Sequence, residues 1–291
     1  PLLVVGGGSN LLVAEGALDL TAVLVRNEGI SLIDDTTLRI QAGTVWDDVV
    51  AFAVDHGLGG IEALSGIPGS AGATPVQNVG AYGSEISDVL TRVRLYNRET
   101  DADEWVSAES LELAYRYSNL KFTSRAVVLE IELALEKTDQ SIPLRHLGGE
   151  RVSLAEARAS VLETRRAKGM VLDADDHDTW SAGSFFTNPV VPTALADEIA
   201  AKVGEDHMPR FAAGEGQEKL SAAWLIERAG CPRGFPGEGA PARLSTKHTL
   251  ALTNRGNATA DDIVELARRV QGVVDKQFGV ELHPEPVWVG L

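Results

Sequence analysis

The stretch 65–83, SGIPGSAGATPVQNVGAYG, constrains this chain more than any other segment. It holds five glycines, two prolines and no charged side chain. Glycines at this density let backbone N–H groups approach an anion without side-chain interference. A solvated linker would carry Lys, Glu or Ser, whereas this loop carries Ile67, Val76, Val79 and Ala81. That composition suits a loop packed against a flat aromatic cofactor and its diphosphate. A second glycine cluster, GGGSN at 6–10, follows an apolar strand-like run. On its own the second cluster reads as a strand-to-strand turn, because a dinucleotide fingerprint needs a third spaced glycine and a helix directly after it. Two such loops in one half of the chain are better explained by a single extended dinucleotide held along its length.

The chain has 291 residues, enough for two domains or a bilobed one. Its hydrophobic content of 44% and charged content of 23% are those of an ordinary globular protein. No apolar run is long enough to span a bilayer, and no signal-peptide pattern is present. A formal net charge of −16 argues against nucleic acid and anionic membrane as partners. An anionic small substrate stays possible, provided its site is locally basic. The single cysteine, Cys231, excludes an internal disulfide and a cysteine-built metal cluster, so the default location is the cytosol. Cys231 itself reads as an inert residue at a helix end. The chain opens at Pro1 inside an apolar run, so a further N-terminal segment is expected before it.

Strand-like runs dominate the first half: LLVV, TAVLVR and TLRIQAG within 1–43, a hairpin over 92–106, and 126–135. Helical spacing appears at 44–56, with Thr44 and Asp47 as a capping-box pair and Trp46, Val49, Val50 and Ala53 as the apolar stripe. Further helices are expected at 153–168, capped by Ser153 and Glu156, and at 195–203 and 220–229. A last one is expected at 259–278, capped by Thr259 and Asp262. Strict βαβ alternation is missing, which disfavours a doubly wound sheet and points to an α+β fold.

Three further segments carry candidate chemistry. In YRYS (115–118), uncharged neighbours and two tyrosines bracket Arg116, which is how a site fixes a guanidinium to meet a carboxylate. In GSFFTNP (183–189), Ser184 lacks the GxSxG elbow of a hydrolase nucleophile, leaving an acid–base role open. In HPEPVWVG (283–290), Glu285 lies between two prolines that fix its backbone, and the apolar residues after it predict burial.

Taken in order, GGGSN, IPGSAGATPVQNVGAYG, YRYS, GSFFTNP, LSAAWLIERAG, LSTKHTLALTN and LHPEP resemble the UDP-N-acetylenolpyruvoylglucosamine reductase (MurB) family over nearly the whole chain. YRYS and the QNVGAYG spelling are similar to its longer class. The resemblance implies an α+β fold, with a two-subdomain FAD-binding domain of the vanillyl-alcohol-oxidase type and a C-terminal substrate-binding domain. It divides the chain into an FAD domain over 1–140 that lacks its N-terminal part, a connecting segment 141–170, a substrate domain 171–275 and a tail 276–291 that returns to the active site. It implies non-covalent FAD, NADPH as hydride donor, and reduction of an enolpyruvyl ether on a UDP-sugar to a lactyl ether for peptidoglycan precursor synthesis in the cytoplasm.

The resemblance also carries residues over. Arg116 would bind the enolpyruvyl carboxylate, Glu285 would assist it in protonated form, and Ser184 would deliver the proton. Gly6, Gly7, Gly8, Ser9, Asn10, Pro68, Gly69, Ser70, Gly72, Ala73, Gln77, Asn78, Gly80, Ala81, Tyr82 and Gly83 would hold FAD. Tyr82, Tyr115, Asn188, Lys168, Lys247 and His248 would face substrate, with His146 in PLRHL standing where relatives place a tyrosine. The acidic ADDHD (174–178) lengthens the link between Lys168 and Ser184. Two other readings stay open at this level: a flavin-dependent alcohol or sugar oxidase of the same fold, and a non-catalytic UDP-sugar-binding protein.

Overall fold

In the computed structural model, which describes residues 1–204 and 207–291, the chain forms two units. The first comprises Pro1–Ser9 and Asp19–Val171; the second comprises Asn10–Leu18 and Leu172–Leu291. Strands and helices segregate rather than alternate, as in an α+β fold.

The first unit is built on a five-stranded antiparallel sheet. Its strands run Ala102–Ser107, Leu90–Asn97, Ala126–Ala134, Thr37–Gln41 and Ile30–Leu32 across the sheet. Alternation sets its two faces. Leu38, Ile40, Val93, Leu95, Ile131 and Leu133 point inward and are buried. They meet helix α1 (Trp46–Asp55), whose expected stripe of Trp46, Val49, Val50 and Ala53 is entirely buried. Burying each of its larger side chains contributes about 1.5–3 kcal/mol. The expected cap of α1 is not formed. Val45 is the N-cap residue and no side chain caps it. Thr44 instead hydrogen-bonds Gly29, with its Oγ1 3.0 Å from Gly29 N, and Asp47 is drawn to Arg158 of helix α2 (Leu154–Ala167). Helix α2 does start with the expected Ser153–Glu156 capping box.

The outward face of the sheet is ionic. Glu132 is only 3% exposed and accepts from both Arg39 and Arg92, whose guanidinium groups also lie over the Trp105 ring. Burial alone would raise the Glu132 carboxyl, but the hydrogen bonds from Arg92 and Arg39 together hold it below the ordinary glutamate range. A group held down in this way takes up its proton more readily in the unfolded chain, so it stabilises the fold at neutral pH and loses that contribution as pH falls. Between about pH 5 and pH 3 the unfolding free energy of the wild type therefore falls more steeply than that of Glu132→Gln. Urea titrations across that range would refute this by giving parallel profiles.

The second unit closes around one hydrophobic core. Helix α5 (Ala260–Phe278), capped by Thr259 and Asp262 as expected and ended by Gly279 at φ 65°, buries Ile263, Leu266, Ala267, Val270, Val274 and Phe278 there. Helix α3 (Thr193–Val203) and helix α4 (Ala222–Arg228) complete the helical layer. Helix α4 is shorter than expected, because Leu220 belongs to strand Gln217–Leu220 and Ser221 caps the helix through Trp224 N. Cys231 is buried in this core and its thiol is pushed up by burial, which fits an inert residue. Leu11–Val13 pairs in parallel with Val287–Val289, and Leu12 and Trp288 pack on the same core. Among the described residues, no helix is long and apolar enough to cross a membrane.

Candidate functional site

The two glycine loops of the first unit lie backbone against backbone. A Cβ on Gly7 would stand 2.8 Å from the Cα of Gly69, and one on Gly6 would stand 2.3 Å from Ser70 Oγ. Only glycine permits that approach. Ser9 Oγ donates to the Pro68 carbonyl at 3.3 Å, tying the second pair of neighbours together. Gly8 takes the left-handed conformation (φ 70°). Among the described residues, the N–H groups of Gly6, Gly7 and Gly8 have no backbone partner. Consecutive unpaired N–H groups in a tight turn form an anion-binding concavity. The residues present therefore fit a bound diphosphate, the group that the sequence predicts here.

The longer loop is pinned from below. Trp46 N donates to Gly69 O, Ala71 N to Thr44 O, and Gly72 N to Ala42 O, at 3.0, 2.8 and 2.8 Å. Gly72 rests on Ala42, where an added Cβ would come within 2.5 Å of Ala42 Cβ, and Ala73 stays exposed. Helix α2 grips the start of the loop. Arg158 holds Asp47 through both carboxylate oxygens at 2.7 and 2.8 Å, and Asp47 accepts from Gly66 N at 2.6 Å. Arg165 donates to Gly66 O at 3.2 Å. Burial would raise the Asp47 carboxyl, but Arg158 and Gly66 N hold it below the usual aspartate range.

The end of the loop meets YRYS. Asn78 is 1% exposed and left-handed (φ 46°); its Nδ2 donates to Glu85 Oε2 and Ala114 O, and its Oδ1 accepts from Ser87 N. Its side chain thus pins the YRYS turn, a task the sequence did not reveal. Ser118 Oγ donates to Val76 O. Arg116, also left-handed (φ 55°), donates to the Gly80 and Asn78 carbonyls at 2.6 and 3.3 Å, and its guanidinium lies over Tyr115. Gly80 is closely surrounded, since an added Cβ would stand 2.7 Å from the Ser84 carbonyl oxygen and 2.7 Å from Glu85 Cγ. Gln77 ends the short turn Pro75–Gln77, and Ala81 packs on the sheet core. Residues held in sparsely populated backbone regions cluster at functional sites, and here Asn78, Tyr82 and Arg116 do so together.

Tyr82 (φ 53°) brings three predicted residues together. Its ring meets the His146 ring at 4.9 Å between centroids, and Lys168 Nζ lies 5.8 Å from its centre. Burial raises the Tyr82 phenol against the opposing pull of Arg165. Burial, and then the charge of Lys168, lower the His146 pKa. The Arg145 side chain covers Gly83.

In the second unit Ser184 is half-buried, between Gly183 (φ 78°) and the fully packed Phe185 and Phe186. Phe185 N donates to Leu250 O and Glu285 N donates to Phe185 O, both at 2.8 Å, and Phe186 bridges to Pro284. Ser184 and Glu285, remote in sequence, are therefore on hydrogen-bonded neighbouring segments. Asn10 joins them: its Nδ2 donates to Glu285 O at 3.3 Å and its carbonyl accepts from Val287 N at 2.9 Å. Glu285 is half-buried rather than buried as expected, and its neighbour Pro286 is the residue that is buried there. Asn188 Oδ1 accepts the first N–H of α4, from Ala222, at 2.9 Å.

The acidic segment has a task that its composition did not reveal. Lys247 Nζ forms an ion pair with Asp176, which raises the lysine and lowers the aspartate. Asp178 accepts from Thr246 N at 3.0 Å and from Arg255 at 2.9 Å. The turn at 245–248 is organised by the buried Ser245 Oγ, which accepts from the N–H groups of Lys247 and His248. Nothing in spacing could have paired Asp176 with Lys247.

Comparison with known proteins agrees with both units. The family described as UDP-N-acetylenolpyruvoylglucosamine reductase, C-terminal domain, matches residues 175–289, and the FAD binding domain family matches residues 1–101. The chain is 62% identical to UDP-N-acetylenolpyruvoylglucosamine reductase 2 of Corynebacterium glutamicum, covering 100% of this chain and 83% of that protein. It is 60% identical to the reductase of the same name from Corynebacterium diphtheriae, covering 100% of this chain and 79% of that protein. The crystal structure of the Thermus caldophilus reductase (MurB) aligns with a TM-score of 0.67 at 25% identity, covering 99% of this chain and 85% of that one.

Proposed function

The chain belongs to the UDP-N-acetylenolpyruvoylglucosamine reductase family, and from that membership we propose how its own residues divide the work. The reaction is the NADPH-dependent, FAD-mediated reduction of UDP-N-acetylglucosamine enolpyruvate to UDP-N-acetylmuramate in the cytoplasm. The observation that carries the cofactor assignment is the contact between the two glycine loops beside the unpaired N–H groups of Gly6, Gly7 and Gly8. These residues, with Ser9 and Gly69–Ala73, would hold the FAD diphosphate. When bound, FAD supplies the hydride chemistry, accepting from NADPH and giving to the methylene carbon of the enolpyruvyl group.

The chain's residues orient the substrate and handle charge and proton. Arg116, its guanidinium plane fixed by two carbonyls, binds the enolpyruvyl carboxylate. Glu285, in its protonated form, stabilises charge moving onto that carboxylate. Ser184 Oγ delivers the proton to the carbon next to the methylene. Tyr82, Lys168, His146, Tyr115, Asn188, Lys247 and His248 bind the nucleotide sugar. Lys247 reaches a phosphate only by sharing its charge with Asp176.

The spectrum of the purified protein tests this reading. Flavin absorbance bleaches on adding NADPH and returns on adding UDP-N-acetylglucosamine enolpyruvate. Rapid return with oxygen alone would favour an oxidase, and a protein without flavin that still binds UDP-sugar would favour a binding protein.

A further inference from the structure

Ser160 of helix α2 sits at the back of the Tyr82 cluster. Its Oγ lies 2.9 Å from His146 Nε2. His146 Nδ1 is buried and has no hydrogen-bond partner. A buried N–H left unmet costs more than a bare ring lone pair, which is a weaker demand on its surroundings. The arrangement with the proton on Nε2, donated to Ser160 Oγ, is therefore favoured over the arrangement with the proton on Nδ1. The ring that results carries no charge, and so it can face Tyr82 while the Lys168 ammonium occupies the region near that same phenol.

Tyr82 needs such support. An aromatic residue in the left-handed region is strained and persists only where its surroundings over-determine it. We propose that Ser160 and His146 act as a positioning pair, Ser160 fixing the proton of His146 on Nε2 and His146 fixing the Tyr82 ring that receives the nucleotide sugar. The proposal rests on the substrate role given to Tyr82 above. Helix α2 thereby holds both ends of the glycine-rich loop, at Gly66 through Arg158 and Arg165 and at Tyr82 through Ser160.

The test uses FAD-loaded enzyme carrying 15N-histidine, as wild type, Ser160→Ala and Ser160→Thr, with His146→Ala to assign the signal. Wild type shows the protonated nitrogen of His146 at Nε2. Ser160→Ala loses that preference, and its KM for UDP-N-acetylglucosamine enolpyruvate rises about five-fold, the loss of one ordinary hydrogen bond. Flavin reduction by NADPH keeps its rate, and Ser160→Thr, which retains the hydroxyl, restores KM. Alanine is the best helix former, so the substitution does not unfold α2. A wild-type proton on Nδ1, or an unchanged KM in Ser160→Ala, overturns the proposal. If the wild type does not turn over this substrate at all, the functional reading fails, while the position of the ring proton still decides the Ser160–His146 pairing.

Discussion

Replacing Ser184 with alanine slows return of the flavin colour by UDP-N-acetylglucosamine enolpyruvate by about 10²–10⁴-fold, the range over which a positioned proton donor acts. The rate at which NADPH bleaches the flavin stays as in wild type. The contrast is clean because the substitution removes one hydroxyl from a well-anchored segment. Phe185 and Phe186 keep their packing, Phe185 N keeps Leu250 O, and Glu285 N keeps Phe185 O. Stopped-flow measurement of the two half-reactions separately decides the matter. Equal slowing of both would mean that Ser184 shapes the site rather than supplying a proton.

Gly7→Ala weakens FAD binding by about 10- to 100-fold, the consequence of about 1–3 kcal/mol of forced overpacking. The new Cβ would press on the Cα of Gly69, which is backbone and cannot rotate away. Gly69 in turn is held by Trp46 N at the start of α1, so the strain is relieved by moving the Gly6–Gly8 turn. That shift misdirects the N–H groups proposed to meet the diphosphate. Gly272→Ala serves as the control: like Gly7 it lies outside the left-handed region, but nothing lies within 4 Å of its added Cβ. Fluorescence titration of apoprotein with FAD would overturn the assignment if both variants bound like wild type.

Local signals in the sequence were reliable where the physics is local. The capping boxes at Ser153 and Thr259 and the stripe on α1 all form, because each depends on residues three or four positions apart. Thr44 and Asp47 have the same spacing and do not cap. Each has a better partner elsewhere, Gly29 and Arg158, and no window of sequence contains those partners. The site was legible in the same measure. Glycine density located both loops, and the resemblance brought in Tyr82, His146 and Lys168, which meet in one cluster. What holds the site was not legible. Asn78 bound to Ala114, Asp176 bound to Lys247 and Ser160 bound to His146 are long-range pairings of ordinary polar residues, and such residues are mostly solvent-facing.

The parallel pairing of Leu11–Val13 with Val287–Val289 bears on how the chain is made. Leu11–Val13 leaves the ribosome long before Val287–Val289 and waits for it. Until then its apolar edge needs shielding, by chaperones or by transient neighbours, and a nascent fragment that lacks 287–289 cannot satisfy it. Closing so large a loop makes this step slow by its topology. Severing the chain between 171 and 172 would strand that short ribbon with the wrong half.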